Sequence, residues 1–192
     1  MYELYKPFDF LSTDECQSLI NWANTQKKDA GEVFGEKEQD WIVDKNVRTN
    51  NLIWVYDKKI IKKYLNLAKK IDKRVKRVEA LKISFYRKDD FYNWHHDDCD
   101  PKKYKHWFID RSHRRVISIV TELQPAPEAG LFIDHTSHPN IPRNKDYTIK
   151  LKQGQTIVFP SKEPHMARNL GDGERISLIG HCWALESDIT KH

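Results

Sequence analysis

The feature that most constrains the fold is a series of short strand-like segments that fills the chain after residue 114. Six segments combine β-branched and aromatic residues: Arg115 to Leu123, Leu131 to Asp134, Tyr147 to Leu151, Thr156 to Phe159, His165 to Asn169 and Arg175 to Trp183. Proline and glycine separate them, as in Pro125-Ala-Pro127 and Gly171-Asp-Gly173. Many short strands of this kind are typical of barrels and jelly rolls.

Two amphipathic helices are predicted ahead of these strands. The first follows a capping box formed by Ser12 and Glu15, and its apolar residues recur at helical spacing: Cys16, Leu19, Ile20 and Ala23. The second starts at Lys58 and has one apolar face: Ile61, Tyr64, Leu65, Ala68, Ile71 and Val75. Between them, Gly31 to Lys45 is polar and predicts a surface loop, whereas Asn51 to Tyr56 predicts a strand.

The order of these elements predicts the fold class. Helices followed by a run of short strands indicate a mainly β fold with some α (α+β): a double-stranded β-helix, or jelly roll, buttressed by the N-terminal helices. The 192 residues suit a single domain, 1–192, with a sizeable core, and we find neither an internal repeat nor a domain linker.

Composition and charge argue against several classes of partner and location. The net charge is +5, and much of it lies on a helical face between Lys58 and Arg77, so a nucleic-acid partner is not expected. No apolar run approaches the roughly 18 residues of a membrane span, and the N-terminus lacks the apolar core of a signal peptide. Cysteine occurs three times, without a CxxC pair, which indicates a reducing compartment. We therefore expect a cytoplasmic protein that does not associate with membranes.

One short stretch concentrates residues that could bind a metal. His95-His96-Asp97-Asp98 contains two overlapping His-x-Asp pairs, and residues i and i+2 of a strand share a face. Either His95 with Asp97 or His96 with Asp98 could therefore point to one ion. With a second histidine, such a pair forms the facial triad that holds non-haem Fe(II). The candidates for that histidine are His165, which follows a strand-like run, and His106, His113, His135, His138 and His181.

A second pattern supplies a buried cation. The segment Val78 to Arg87 alternates, with Ser84 and Tyr86 on the face that we expect to line the interior. Arg175 and Ser177 share a face of another predicted strand. A guanidinium inside a barrel is costly unless it is paired. Arg175 is therefore predicted to bind either a ligand carboxylate, bidentately, or an Asp within the protein.

These residues resemble a known motif. In 2-oxoglutarate- and Fe(II)-dependent dioxygenases of the prolyl 4-hydroxylase-like family, the order is Tyr-x-x-Gly-x-x-Tyr-x-x-His-x-Asp, then a His with Lys or Arg ten positions on, then a Trp. The chain has the matching residues at this spacing: Tyr86, Tyr92, His95, Asp97, His165, Arg175 and Trp183. Asp89 stands in place of the glycine. The resemblance spans Phe10 to Trp183, which is nearly the whole chain.

The resemblance implies a site and its cofactors. The implied Fe(II) ligands are His95, Asp97 and His165, which decides between the two overlapping pairs. The residues implied to bind the cosubstrate 2-oxoglutarate are Arg175, Ser177 and Tyr86. O2 is the third reactant, and ascorbate is implied as an accessory. Such chemistry needs no catalytic acid, base or nucleophile beyond the metal centre, and the sequence shows no Ser/His/Asp or Cys/His pattern of that kind.

The resemblance also implies hydroxylation of a C–H bond, with a prolyl residue in a peptide or protein as the leading substrate. The residues predicted to contact it, in part by stacking on the ring, are Tyr92, Trp94, Trp183 and Arg48. The polar, aromatic insertion from Asp98 to Arg114 is predicted to be either a lid or a solvated loop. Alternatives are a hydroxylase of a free amino acid or other small molecule, a nucleic-acid demethylase, and a non-enzymatic jelly roll that binds a metal or sugar.

Overall fold

The computed structural model describes residues 3–35, 40–98, 112–134 and 148–189. Over these ranges the chain is mainly β with few helices, as predicted. Its elements in chain order are β1 (Phe8–Asp9), α1 (Thr13–Asn24), β2 (Asp29–Ala30), β3 (Val33–Gly35), β4 (Asp40–Ile42), β5 (Asn51–Val55), α2 (Lys58–Ile71), β6 (Val75–Val78), β7 (Leu81–Tyr86), β8 (Phe91–His95), β9 (His113–Gln124), β10 (Ala129–Ile133), β11 (Thr148–Ile149), β12 (Gln155–Pro160), β13 (His165–Asn169), β14 (Arg175–Leu185) and α3 (Glu186–Ile189). None of the described helices has the length and apolar character that crossing a membrane requires.

Two antiparallel sheets dominate the described residues. The larger has the strand order β1-β12-β9-β14-β7-β5-β2, with β6 also paired to β14, and the smaller has the order β11-β10-β13-β8. Val120 and Ile157 of the larger sheet share one buried apolar cluster with Leu131 and Ile133 of the smaller sheet. The two sheets therefore pack face to face, as the layers of a jelly roll do.

The two long helices pack on the other face of the larger sheet. α1 begins with the predicted capping box, in which the Ser12 hydroxyl accepts from the Glu15 N–H at 3.1 Å and the Glu15 carboxylate accepts from the Ser12 N–H at 2.8 Å. A second buried cluster joins side chains of α1 and α2 to alternate residues of the sheet: Cys16, Ile20, Ala23, Tyr64, Leu67, Ala68, Leu81, Ile83 and Phe85. The intervening residues of β7 face the other way, toward the smaller sheet.

Two predictions about the first half of the chain are wrong. α2 ends at Ile71, and Val75 begins strand β6 instead of extending the helix. Asp72 stops the helix because its carboxylate accepts hydrogen bonds from the backbone N–H of Arg74 at 2.9 Å and from its guanidinium at 2.8 Å, which favour an extended backbone. The segment 31–45, predicted as a loop, contains the antiparallel strands β3 and β4. Its strands have three residues each, too few for a period to be visible in the sequence.

The turn between β7 and β8 shows how Asp89 replaces the glycine of the motif. Asp89 has a φ of +66°, in the left-handed region. That conformation costs most residues about 1–2 kcal/mol, but Asp and Asn tolerate it better than others do. The Asp89 N–H donates to the Asn169 carbonyl at 2.8 Å, and the Asp90 carboxylate accepts from the Arg87 N–H at 2.8 Å. These bonds hold the tight turn that leads from β7 into β8.

Candidate active site

A cavity of about 550 Å³ lies between the two sheets. Alternate residues of β7 and β14 form one wall, and residues of β8 and β13 contribute to the opposite wall. The volume is in the usual range for a site that binds small molecules. The side chains that line it include most of the predicted site: Arg48, Tyr86, Tyr92, His95, Asp97, His165, Arg175 and Ser177.

His95 and His165 meet because β8 pairs with β13. His95 ends β8, His165 begins β13, and the two residues lie directly opposite each other. Asp97 lies beyond the end of β8, so strand alternation does not position it. Instead, its N–H donates to the Ser161 carbonyl at 2.8 Å, and its carboxylate accepts from the Ser118 hydroxyl at 2.6 Å. One donor atom from each of His95, Asp97 and His165 lies within 4.8 Å of the other two.

The overlapping pair, His96 and Asp98, is oriented differently. Both residues border the cavity. However, His96 is exposed, and the Asp98 carboxylate accepts from Arg114 Nε at 2.6 Å. The structure thus brings together the three residues that the resemblance implied and not their neighbours one position further along the chain.

Backbone carbonyls orient both imidazoles. The Nδ1–H of His95 donates to the Asn93 carbonyl at 2.7 Å, and the Nδ1–H of His165 donates to the Glu163 carbonyl at 2.9 Å. Nε2 is therefore the atom that each ring has left for a metal ion. The Nε2 atoms of His95 and His165 lie 3.7 and 3.3 Å from the Asp97 carboxylate. Histidines that bind metals are commonly held in this way by a partner on the second ring nitrogen.

The electrostatics of the three residues suit a cation. Burial alone would raise the pKa of Asp97, but His181, whose Nε2 lies 3.4 Å from Oδ2, and His165 lower it well below its usual range. Burial, followed by the neighbouring His165, lowers the pKa of His95 well below its ordinary value. Against the lowering effect of burial, Asp97 raises the pKa of His165. A metal ion needs deprotonated ligands. A bound ion would therefore displace the proton of His165 and become the positively charged partner of Asp97.

Aromatic side chains hold the two imidazoles in place. The Tyr92 ring stacks on His95 with centroids 3.5 Å apart, and Arg48 Cζ lies 4.1 Å from the Tyr92 centroid. These distances are too short for both groups to share one face of the ring, so Arg48 and His95 cover opposite faces. Phe159 meets His165 edge-on at 4.9 Å. Tyr92 therefore offers a substrate its edge and hydroxyl, not the ring face that stacking on a pyrrolidine would need.

The residues predicted to bind 2-oxoglutarate also lie together. Arg175 and Ser177 of β14 are directly opposite Tyr86 and Ser84 of β7, and all four line the cavity. The hydroxyls of Ser84 and Ser177 are buried without a hydrogen-bond partner among the described residues. Buried polar atoms are rarely left unpaired. Two orphan hydroxyls beside a guanidinium therefore fit a ligand that brings carboxylate oxygens.

Glu122 is a site residue that the sequence did not reveal. Its Oε2 accepts from Arg175 Nε at 3.1 Å and Nη2 at 2.9 Å, and both side chains are at most 4% exposed. The partner that Arg175 has within the protein is thus a Glu and not an Asp. Glu122 alternates with Ser118 and Val120 along β9. A single acidic residue in a buried strand does not show which basic residue it pairs with, so the sequence alone could not assign Glu122 to Arg175. Arg175 Nη1 has no hydrogen bond within the described part of the chain.

Two of the four residues predicted to contact the substrate lie in the cavity wall. Arg48 and Tyr92 line the cavity, but Trp94 and Trp183 do not. Trp94 is 46% exposed, and Trp183 is buried with its Nε1–H donating to Glu79 at 2.9 Å. Residues 99–111, which make up most of the predicted lid, lie outside the described residues. The rival ligands His106, His135 and His138 lie outside them too, whereas His113 opens β9 away from the cavity lining.

The donor set indicates which groups the site fits. Two imidazoles and one carboxylate form the set that holds Fe(II) in non-haem oxygenases and leaves coordination positions open. A cation, Arg175, and two unpaired hydroxyls lie in the same cavity and suit a dicarboxylate. Fe(II) and 2-oxoglutarate therefore both fit the residues present.

Comparison with known proteins identifies similar sequences. The family model described as the 2OG-Fe(II) oxygenase superfamily matches residues 81–183, which include all three candidate metal ligands and Arg175. A protein of Acanthamoeba polyphaga mimivirus, provisionally described as a prolyl 4-hydroxylase, is 26% identical over 160 residues. That match covers 80% of this chain and 60% of the relative, so the chain spans about 60% of the length of that relative.

Two solved structures resemble the fold. A prolyl-4-hydroxylase of Pseudomonas putida has a TM-score of 0.63 at 17% identity, with 92% of this chain and 90% of that one covered. The viral collagen prolyl hydroxylase of Paramecium Bursaria Chlorella virus-1, in its 2OG complex, has a TM-score of 0.62 at 19% identity, with 95% and 97% covered. At such identities the likeness shows the fold alone, which is the jelly roll of these oxygenases.

Proposed function

The chain belongs to the 2OG-Fe(II) oxygenase superfamily, and from that premise we propose that it hydroxylates a prolyl residue in a peptide or protein. It is a 2-oxoglutarate-dependent dioxygenase whose cofactors are Fe(II) and 2-oxoglutarate. The observation that carries the proposal is the convergence of His95, Asp97 and His165 on a cavity whose wall also contains the buried Arg175.

The residues of the chain bind and orient, while the cofactors supply the reactivity. When bound, Fe(II) with 2-oxoglutarate and O2 supplies the oxidant that hydroxylates a C–H bond. His95, Asp97 and His165 would hold the ion in the orientation that their carbonyl and hydroxyl partners fix. Arg175 would pair with the remote carboxylate of 2-oxoglutarate through charge-assisted hydrogen bonds, with the Ser177 hydroxyl as a further donor.

Apolar residues of the cavity would keep water from the reacting atoms. Val120 and Ile179 of the larger sheet and Leu131 and Ala167 of the smaller sheet all line it. A site that excludes water strengthens the electrostatic interactions within it and protects reactive species from side reactions. These side chains would thus shield the reacting C–H bond and the bound cofactors from solvent.

Two considerations support a prolyl substrate. The mimivirus relative and the two solved structures carry descriptions as prolyl hydroxylases. The cavity also contains Trp41 and Trp54, whose rings could pack on a pyrrolidine in place of Trp94 and Trp183. A proline-containing peptide in the polyproline conformation is preorganised, which lowers the entropic cost of binding.

A free amino acid or another small molecule is the second candidate substrate. The cavity volume of about 550 Å³ could enclose such a molecule completely. Cationic side chains in the cavity wall, Arg48 among them, suit a ligand with a carboxylate. A small zwitterion is therefore the alternative that the same cavity favours.

We also propose that α1 and α2 buttress the larger sheet and that residues 1–192 form one catalytic domain. Support comes from the buried cluster that joins both helices to β7 and β14 on the face opposite the cavity. A rigid support behind these strands would keep Arg175 and Ser177 in position for the cosubstrate.

Mass spectrometry of a panel of proline-containing peptides tests the proposed function. After incubation with the enzyme, Fe(II), 2-oxoglutarate and ascorbate, we expect a mass gain of one oxygen on proline, with succinate formed in parallel. His165→Ala should abolish both products, and His96→Ala, the exposed neighbour of the candidate ligands, should retain them. Oxidation of free proline or another small molecule, with every peptide unchanged, would overturn the prolyl-peptide proposal.

A further inference from the structure

The cavity wall carries cations that the iron and 2-oxoglutarate sites do not use. Four cationic side chains line it within the described residues: Arg48, Lys82, Arg115 and Arg175. Arg175 pairs with Glu122, and Arg115 pairs with Glu79 through hydrogen bonds of 2.9 and 2.8 Å. Lys82 has only the Glu79 carboxylate, 4.0 Å away and shared with Arg115, and Arg48 has no carboxylate contact among the described residues. Incompletely paired charges in a cavity wall are costly, so these two cations need an explanation.

Lys82 projects from β7 into the cavity with its hydrogen-bonding capacity unused. It lies directly opposite Trp54 of β5, and its Nζ is 4.8 Å from the Trp54 ring centroid. The side chain is 16% exposed, and no hydrogen bond to Nζ occurs among the described residues. Glu79 lies 4.0 Å away, but its carboxylate already accepts hydrogen bonds from Arg115 and Trp183. The ammonium therefore has three donors that no group of the described chain accepts.

Arg48 is also buried among neutral partners. Its Nε donates to the Asn50 side-chain oxygen at 2.9 Å, its Nη1 donates to the Glu32 carbonyl at 3.1 Å, and its plane covers Tyr92. These contacts orient the guanidinium without neutralising its charge. The Tyr92 ring lies between this guanidinium and His95, one of the candidate iron ligands.

Lys82 and Arg48 line the same cavity. Burial lowers the pKa of Lys82 to about 8 against the raising effect of Glu79, and the charges of Arg115 and Arg48 contribute to that lowering. An anion in this cavity within reach of both side chains would offset their charges and accept their free donors. Charge-assisted hydrogen bonds in a site with little water are strong, so such an anion would be bound selectively.

We propose that Lys82, with Arg48, binds a carboxylate of the substrate, so that the enzyme selects a substrate with a negative charge near the carbon it hydroxylates. This inference rests on the proposed function and names the class of its substrate. The carboxylate has two sources with the same chemistry: the α-carboxylate of a free amino acid, or the side chain of an acidic residue beside a prolyl residue in a peptide. In both cases the Trp54 ring lies next to the bound group and can pack on its apolar part.

The test measures binding of matched acids and amides to the protein loaded with Mn(II) and 2-oxoglutarate. One pair is L-proline and L-prolinamide, and the other is acetyl-Ala-Pro-Glu-amide and acetyl-Ala-Pro-Gln-amide. By calorimetry we expect the wild type to bind the acid of one pair roughly 10-fold or more tightly than its amide. Lys82→Met should remove that preference, and Lys82→Arg should retain most of it. Lys62→Met, on the exposed side of α2, is the matched control that should change nothing.

The outcomes separate this inference from the proposed function. Equal affinity for acid and amide in both pairs, or binding of none of the four probes, would overturn the carboxylate site. An unchanged preference in Lys82→Met would do the same. Hydroxylation of each probe is followed separately by mass spectrometry. If the protein binds the acid more tightly than the amide but oxidises no proline, the prolyl substrate is rejected and the carboxylate site is kept. If it oxidises a peptide but binds acid and amide equally, the carboxylate site is rejected and the prolyl substrate is kept. The pair that shows the preference identifies the source of the carboxylate.

Discussion

Arg175 uses only part of its hydrogen-bonding capacity on Glu122. A guanidinium has five N–H groups, and Glu122 accepts from Nε and Nη2. Burial raises the pKa of Glu122 even with Arg175 beside it, and Glu122 Oε1 has no partner within the described residues. Glu122 therefore compensates the buried charge of Arg175 before the cosubstrate binds. It also repels the carboxylate that 2-oxoglutarate would bring to the same guanidinium.

Substitutions at this pair should change the affinity for 2-oxoglutarate in opposite directions. Arg175→Gln should weaken binding by about 2–5 kcal/mol because a charge-assisted contact is lost at a buried site. Glu122→Gln should bind at least as tightly as the wild type, because the amide oxygen still accepts from Arg175 while the repulsion is gone. Titration of each Mn(II)-loaded variant with 2-oxoglutarate measures both effects.

The double variant, Arg175→Gln with Glu122→Gln, is the control for misfolding, since it leaves no unpaired charge in the core. If it bound 2-oxoglutarate as tightly as the wild type, Arg175 would not be the anchor.

The strands show how far the sequence predicts the structure. Alternation along β7 placed Tyr86 and Ser84 in the interior, and the described cavity contains both. Trp183, expected near the substrate, lies two residues beyond His181 on β14 but outside the cavity lining, and its Nε1–H donates to Glu79. The register shifts of β14 against β9 place the extra residues in β9, so they do not change the alternation of β14 itself. How far a cavity extends along a strand depends on the packing of the opposite wall, which alternation within one strand does not reveal.

The site was predictable where short-range spacing decides it and not where distant elements meet. The spacing of His95 and Asp97 and the position of Arg175 after His165 are visible in the sequence. The partner of Arg175 is on β9, 53 residues away from it along the chain. The carbonyl of Ser161 that positions Asp97 follows β12. Contacts of this kind depend on the order of the strands in the sheets, which hydrophobic periodicity does not determine.

The contact between α2 and β14 leaves no room for a side chain at Gly180. A Cβ there would lie 2.8 Å from a ring carbon of Tyr64 and 2.9 Å from a methyl of Leu81. Gly180→Ala should therefore lower the free energy of unfolding by about 1–3 kcal/mol through overpacking. Urea unfolding measures the loss. In a Leu81→Ala background the same substitution should cost less, because the space opened at Leu81 accepts the added methyl. Strictly additive effects would contradict this account of the contact.

At the scale of the whole molecule, the candidate metal site connects the two sheets. His95 and His165 belong to strands of the smaller sheet. Asp97 is held by Ser118 of β9 and by the carbonyl of Ser161, which follows β12, and both strands belong to the larger sheet. A bound ion would therefore act as a crosslink between the layers of the fold.

Metal binding should accordingly raise the unfolding temperature. At about 100 times its dissociation constant, a ligand of the folded state adds about 2.7 kcal/mol of stability, which for a chain of this size is roughly 5–10 °C. We expect this shift with Mn(II), its reversal by a chelator, and its loss in His95→Ala and His165→Ala. Differential scanning calorimetry measures the shift, and His96→Ala should retain it. Retention in His95→Ala with loss in His96→Ala would show that the ligand pair is displaced by one residue.

The direct pairing of His95 with His165 across β8 and β13 also has a consequence for folding. If β8 slipped by one residue, all of its side chains would turn to the opposite side of the sheet, and the two imidazoles would no longer face each other. A slipped chain could still be compact and hydrogen-bonded, but it could not coordinate an ion with both rings. Metal present during refolding would therefore select the native strand alignment by mass action, so that cofactor loading also discriminates correctly folded molecules from misaligned ones.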